Sequence, residues 1–445
     1  MRKTNKIITI FFLITIFSFF GLVVSKIAVK NIVYDILHID NEIVAFFLQD
    51  DSEYKNIEDP IVYVNHQANY PFKETQTKTS QSTFDKILSK VSKLQTVFED
   101  YTSENLLFRL DFMKGGYAFE DLLNLDIISM QDDSAVIELR EGYLTALNGD
   151  KDMTVAASNL VAFKDYVETQ GAEFLYIQVP YKISEEEEVS ALYRDYSNEN
   201  SDTLLSLLHQ SNVDTLDLRE EFSNRYQDLL PLFYKTDHHW KIETGLEAAS
   251  ITAEYLAETY GYDMHTENLV EEAYTTEVYE DSFLGSRGRK VTLAKTELED
   301  FTLLLPNFES NVCAYIPDRS IDTCGSFYDT LIDPSKLGSD DYYNVSPYHT
   351  YAYGDRPVIE IENQLVTNNK KILILRDSFS VPLVPFLSLS TQSIHSLDLR
   401  YFTGSVETYI EQYQPDLVIV AYNPSVFVDS KNIEYQTHTN MFDFK

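Results

Sequence analysis

The sequence predicts an α/β fold: a doubly wound parallel sheet, with an N-terminal transmembrane helix and an inserted irregular or β subdomain. Three observations predict it. Short apolar runs at 174–179, 371–375 and 417–421 alternate with helical patterns, as in sheets buried on both faces. An uncharged run at 7–24 follows Arg2, Lys3 and Lys6. Between 262 and 345 the alternation stops and acidic, Tyr- and Asp-rich turns take over.

The N-terminal run spans about 27 Å as a helix, just enough for a hydrocarbon core. Residues 1–25 are therefore read as a retained signal-anchor, with 26–445 outside the cytoplasm on a single-pass membrane protein. A cleaved signal is the alternative, with Val23 and Ser25 as a poor cleavage site and the body secreted. Residues 26–130 read as a juxtamembrane stalk and helical region. Residues 27–48 keep helical spacing around Lys30, Asp35, Asp40 and Glu42, 70–82 is a polar linker, and 83–98 places Phe84, Ile87, Leu88, Val91, Leu94 and Val97 on one helix face.

Residues 131–261 read as the first half of the sheet domain. A hairpin, 135–139 and 143–147, turns at Arg140-Glu141-Gly142. Helix 156–168, strand 174–179, helix 202–210 and strand 213–218 follow. A helix at 243–260 carries Leu246, Ala249, Ile251, Ala253 and Leu256 on one side. After the 262–345 insertion, 346–445 is the second half. Strand 371–375, a turn, a helical pattern at 381–387, strand 394–397, helix 406–412 and strand 417–421 complete it.

The 445 residues carry a net charge of −36, which excludes nucleic acid or an anionic membrane face as partner, since both need basic surface. The 31 Tyr and 27 Phe are read chiefly as core and interface rings, with stacking on sugars as the second reading. Cys313 and Cys324 are too few for a four-cysteine zinc site. A disulfide and a free buried pair both stay open. No metal or cofactor is expected.

The chemistry concentrates on two turns. Tyr234-Lys235-Thr236-Asp237-His238-His239-Trp240 stands at a helix entrance and holds the single Trp. An aspartate two residues before a histidine can fix its tautomer while the ring takes a proton. The second turn, Arg376-Asp377-Ser378-Phe379-Ser380, joins a strand to a helix start. Ser378 there is a candidate nucleophile, with its own N–H and the helix N-terminus facing an oxyanion. Alone, Asp377 or Ser378 reads as a helix cap; with Asp237 and His239 on another strand-to-helix turn, the triad reading is preferred. Ligands in such sheets sit past the carboxyl ends of strands, which singles out Lys182, Ser378 and Asn423. Lys182 faces a pocket or is solvated, and Gly354 offers an N–H or is a turn glycine. Trp240 packs or presents a sugar platform, and His238 is supporting or structural. Glu185 to Glu188 is a solvated helix start, with calcium as a minor reading.

Asp237-His238-His239-Trp240, followed far downstream by Asp377-Ser378-Phe379, resembles the DHHW protein family. That family is related to the alginate O-acetylation proteins of the SGNH-hydrolase-like superfamily. Thr236 to Trp240 matches a T-D-x-H-W block and Ser378-Phe379 a later S-F block. The resemblance runs over roughly 135–428. It takes in Phe283-Leu284-Gly285-Ser286, Tyr353-Gly354-Asp355, Val384-Pro385-Phe386-Leu387 and Asp398-Leu399-Arg400-Tyr401-Phe402. Arg376 stands where ordinary esterases have a glycine. The resemblance implies an SGNH-hydrolase-like fold and an O-acetyltransferase or esterase of the cell envelope with a polysaccharide acceptor. By analogy it implies a membrane-bound acyltransferase delivering the acyl group, and Asn423 as an oxyanion donor. A turn asparagine before Pro424 is the other reading of Asn423, and Arg376 is counted with the oxyanion and substrate-binding candidates. Two further classes are weighed: a non-catalytic assembly protein that keeps the fold, and a metal-dependent phosphoesterase using Asp237, His238 and His239.

Overall fold

The apolar runs at 174–177, 372–375 and 417–421 are buried throughout because both of their faces are covered. The computed structural model describes residues 127–131, 134–184, 194–427 and 441–444, with isolated positions at 114, 115 and 117. The anchor, stalk, linker and 83–98 helix expectations lie outside these residues, as does the Glu185 to Glu188 run. Among the described residues no helix is long and apolar enough to cross a membrane. The chain divides into units 1–122 and 123–445, and the described strands all lie in the second.

β1 (Ile127–Gln131), β2 (Ser134–Glu138) and β3 (Leu144–Thr145) form a small antiparallel sheet. Strand and helix then alternate: α1 (Thr154–Thr169), β4 (Glu173–Gln178), α2 (Ser197–Gln210), β5 (Thr215–Asp217), α3 (Leu218–Arg225) and α4 (Ile242–Tyr260). β6 (Tyr274–Phe283) and β7 (Glu299–Pro306) pair antiparallel around α5 (Ser286–Val291). β8 (Val312–Ile316), β9 (Ile321–Gly325) and α6 (Phe327–Leu331) follow. The chain closes with β10 (Val358–Asn363), β11 (Lys371–Arg376), α7 (Ser380–Leu387), β12 (Ser393–Leu397), α8 (Val406–Tyr413) and β13 (Leu417–Tyr422).

Eight strands make the main sheet, in the order β5-β4-β13-β11-β12-β10-β8-β9. β5 to β12 along that order are parallel; β10, β8 and β9 run antiparallel at one edge. The sheet is therefore mixed, not wholly parallel as expected. The 262–345 stretch corrects a second expectation, since β8 and β9 from within it extend the main sheet. Val312, Ala314 and Ile316 are buried while Tyr315 is exposed, the alternation of a strand near an edge. Cys313 and Cys324 stand opposite each other on these two strands and form a disulfide.

One sheet face buries Leu175, Ile177, Ile372, Ile374 and Ile419 with Leu246, Ala249 and Leu256 of α4 and Leu383 and Leu387 of α7. The other buries Phe174, Tyr176, Leu373, Leu375 and Val420 with Leu160 and Phe163 of α1, Leu204 and Leu208 of α2 and Ile410 of α8. α4 lies directly on α7: a Cβ at Gly245 would stand 2.6 Å from Pro382 Cγ. α4 ends at Gly261, whose φ of 66° and N–H to Leu256 O make a left-handed cap. This layering brings the carboxyl ends of β4, β13 and β11 side by side.

Candidate active site

The turn after β11 divides its labour between two neighbours. Asp377 caps the chain ahead of α7, its Oδ1 accepting the Phe379 N–H at 2.9 Å. Its Oδ2 accepts the Asn423 N–H at 2.6 Å, which ties the end of β13 to the end of β11. The Ser378 hydroxyl takes no part in this cap. Among the described residues the Ser378 backbone N–H donates to nothing.

The Tyr234 to Trp240 turn is closed by a bridge between Phe233 and Trp240 and by Tyr234 N–H donating to His239 O at 3.2 Å. Asp237 sits near its apex. Its Oδ1 accepts the His239 backbone N–H at 3.0 Å and the ring Nδ1 at 2.5 Å; its Oδ2 accepts the Ser286 N–H at 2.5 Å. Burial opposes ionisation of this carboxyl. His239 and His238, with the hydrogen bonds from His239 and Ser286, outweigh it and hold Asp237 well below the usual carboxylate range. An ionised Asp237 accepts only, so His239 carries its proton on Nδ1 and Nε2 is left to accept. The Ser378 hydroxyl donates to that Nε2 at 2.7 Å. Ser378 and His239 are each 6% exposed and Asp237 3%, so all three are buried.

Several residues that the sequence did not single out build the walls. Tyr348 stacks on the His239 ring at 4.3 Å between centroids and 15° between planes, and its hydroxyl donates to Ser378 O and Phe379 O, both at 3.2 Å. Glu299, at the start of β7, accepts from Lys235 N–H, Thr236 N–H and Thr236 Oγ at 2.5, 2.6 and 2.5 Å. Gly285 donates to Thr236 Oγ at 2.8 Å, and a Cβ there would lie 2.3 Å from Asp237 Cβ. Tyr348 is one tyrosine among 31 and carries no local signal. Gly285 and Ser286 were visible only through the family resemblance.

The softer candidates divide. Trp240 is fully buried, and its indole N–H donates to Phe379 O at 2.9 Å, so it packs the two turns together and presents no open ring. Asn423 donates its amide to Pro180 O at 2.6 Å and accepts from Ser425 N–H at 3.0 Å, which spans the ends of β13 and β4 and matches its turn reading. Gly354 has φ 83° and gives its N–H to Tyr351 O at 2.9 Å, again as a turn glycine. Arg376 is fully buried, bonded to Asp355 Oδ1 at 2.8 Å, Gly354 O at 3.3 Å and Asp398 Oδ2 at 3.4 Å. It braces the turn from behind instead of facing a substrate. Lys182 is neither solvated nor facing a pocket: it is fully buried under the Tyr234 to Trp240 turn, donating to Leu144 O at 2.8 Å and Tyr234 O at 2.6 Å.

Asp237, His238 and His239 offer ligand atoms within 4.8 Å of one another, the spacing a metal ion needs. Three of their four imidazole nitrogens are already engaged. Both of His239 serve Asp237 and Ser378, and His238 Nδ1 lies 3.0 Å from Ser286 Oγ. Burial and the adjacent His239 hold His238 well below the usual imidazole range. The arrangement suits proton transfer from a serine hydroxyl to an oriented imidazole.

No curated protein matches the chain. PatB1 of Bacillus cereus, in a structure with a sulfonyl adduct, is 21% identical with a TM-score of 0.56, over 71% of this chain and all 100% of that one. A second PatB1 structure covers 70% of this chain at the same identity and score. A DHHW family protein from Eubacterium siraeum is 20% identical with a TM-score of 0.50, over 65% of this chain and 89% of that one. These likenesses establish a shared fold. Residues 139–299 match the family described as SGNH hydrolase-like domain, acetyltransferase AlgX, a span that includes Asp237 to Trp240 and stops before Ser378. Over that span the chain is similar to the SGNH hydrolase-like domain of the acetyltransferase AlgX, in keeping with the resemblance its Asp-His-His-Trp motif carries.

Proposed function

We propose that this protein is a serine O-acyltransferase or acylesterase acting on hydroxyl groups of a cell-surface or secreted polysaccharide. The observation that carries the reading is the continuous hydrogen-bonded chain Asp237–His239–Ser378 beside an uncommitted serine N–H. The AlgX family description supports acetyl as the group moved, and the sulfonyl adduct of PatB1 is in keeping with a reactive nucleophile in a protein of this fold. The N-terminal run supports a membrane-anchored, extracytoplasmic enzyme, and the analogy supports a membrane-bound acyltransferase as the source of the acyl group.

In this mechanism Ser378 Oγ attacks the carbonyl carbon of an acyl donor as its proton passes to His239 Nε2. Asp237 stabilises the imidazolium. The oxyanion is stabilised by the Ser378 N–H; a donor of this kind contributes about 10²–10³ in rate. Collapse breaks the bond to the leaving group, which takes the proton from His239 and leaves an acyl-serine. An acceptor hydroxyl then gives its proton to Nε2 and attacks the ester carbonyl; collapse breaks the acyl–Oγ bond, Ser378 Oγ takes the proton back from Nε2, and the new ester is released. Water in place of the sugar gives hydrolysis.

A fluorophosphonate probe tests the reading. Labelling of the wild type, lost in Ser378→Ala and weakened in His239→Ala, supports it. A folded wild type that does not label leaves a non-catalytic assembly protein as the better account.

A further inference from the structure

Four backbone carbonyls converge on one ammonium group beneath the candidate site. Lys182 Nζ donates to Leu144 O at 2.8 Å, Tyr234 O at 2.6 Å, Asp237 O, and at 3.4 Å to Lys235 O. Its side chain is fully buried, and the ring of Tyr143 lies 5.7 Å away. A buried charge without a close ion-pair partner costs several kcal/mol unless every donor is used. Here an ammonium with three N–H groups meets carbonyl oxygens from a single turn and from the neighbouring β3.

The turn is strung between two charges. On one side Glu299 collects its N–H groups, from Lys235 and Thr236. On the other, Lys182 collects its C=O groups, from Tyr234, Lys235 and Asp237. Other ties also hold the turn: the Arg287 and Gly288 N–H groups of α5 donate to Thr236 O at 3.0 and 2.8 Å. The Phe233–Trp240 bridge and the Tyr234-to-His239 bond close the base of the turn, and Leu144 N–H donates to Lys235 O at 2.7 Å. Among the described residues Lys182 is the one side chain that grips the main chain of Asp237 itself, whose carboxylate orients His239.

We propose that Lys182 is a positioning residue: its ammonium gathers the inward carbonyls of the Tyr234 to Trp240 turn and so fixes the backbone from which Asp237 addresses His239. Without it, the carbonyls of Tyr234 and Asp237 lose their donor while Lys235 O keeps the Leu144 N–H, and the turn relaxes by turning those two toward water or toward other N–H groups. Such a movement displaces the carboxylate. Burial draws the ammonium down to about 7, with Asp237 and Glu299 pulling it back up and Arg287 adding to the fall. That is the expense of holding a charge at this point in the fold.

The test uses the full chain and two readouts besides its melting temperature. One is the far-downfield proton resonance of an imidazole Nδ1–H bonded to a carboxylate, which reports the Asp237–His239 bond whether or not the serine reacts. The other is the rate of fluorophosphonate labelling at Ser378, which rests on the acyl-transfer reading. Ser378→Ala keeps the resonance and serves as its control. Lys182→Met is expected to lose the resonance and to label on the order of 10²-fold more slowly. Lys182→Arg, which keeps a cation and its donors, is expected to recover part of both. Where Lys182→Met does not fold, Lys182→Gln carries the test, and both readouts must fall together. A folded Lys182→Met or Lys182→Gln with an unchanged resonance and rate overturns the proposal. A wild type that shows the resonance and never labels sinks the acyl-transfer reading alone, and the resonance still decides the role of Lys182.

Discussion

His239 Nε2 and the Ser378 hydroxyl stand 2.7 Å apart although 139 positions of sequence separate them. Three contacts hold that distance. Trp240 and Tyr348 both donate to Phe379 O, and α4, which follows the first turn, packs against α7, which follows the second. The two turns are thus cross-linked at the residue after the serine, independently of the serine itself.

Replacing Asp237 by Asn puts an amide where His239 needs an acceptor for its Nδ1–H. The ring then favours the wrong tautomer and cannot take the serine proton. Labelling at Ser378 is expected to slow by about 10³–10⁴-fold with the fold intact. A variant that labels within tenfold of wild type would show that His239 needs no orienting carboxylate.

Gly285→Ala is a steric test at a distance from the serine. The φ of Gly285 is −71°, open to any residue, so the difficulty is only the Cβ at 2.3 Å from Asp237 Cβ. Overpacking of this kind costs about 1–3 kcal/mol. Either α5 or the Asp237 turn must shift, and labelling is expected to drop by at least tenfold. Chemical denaturation and labelling together check it; an unchanged rate would mean that α5 alone gives way.

Tyr348→Phe keeps the ring on His239 and removes the hydroxyl that serves Ser378 O and Phe379 O. The loss is expected to be about 1 kcal/mol in stability, with labelling little changed. Tyr348→Ala removes the stack as well and is expected to cost about 3–5 kcal/mol and to slow labelling markedly. Equal behaviour of the two variants would assign the whole effect of Tyr348 to its hydroxyl.

Asp377 supplies a pH test. Burial pushes its carboxyl from the usual 3.8 up to about 6, against the pull of the Asn423 N–H, Arg400 and the Phe379 N–H. A raised carboxyl holds its proton more firmly folded than unfolded. Its contribution to stability is therefore full below 3.8 and is lost as pH rises through about 6. Asp377→Asn cannot ionise. The wild type is expected to lose stability relative to that variant across this window, by at most about 3 kcal/mol. Parallel stability–pH curves for the two proteins would contradict it.

Much of the fold was legible because the parallel strands are buried on both faces. The runs at 174–179, 371–375 and 417–421 fall within a residue of β4, β11 and β13. β10 escaped a search for continuous apolar runs, since Ile359 and Ile361 alternate with Glu360 and Glu362 as befits a strand near an edge. α3 escaped because only Leu218 and Phe222 of its eight residues are buried. Lys182 was misread for a different reason. A lysine after a strand usually reaches water, and nothing local reveals that carbonyls from residues 144 and 234 will close over it.

By itself the sequence determined which side chains can do chemistry: an aspartate two residues from a histidine, and a serine where a strand gives way to a helix. Local rules suffice for that, because the Asp237–His239 bond is made within one turn and the placement of the serine follows from one change of backbone direction. Only the tertiary structure decided that the two turns meet, that Asn423, Gly354 and Arg376 serve the scaffold, and that a buried ammonium sits beneath the site. Those outcomes depend on which strands become neighbours in the sheet, and neighbour order is set by packing across the whole core instead of by any stretch of chain.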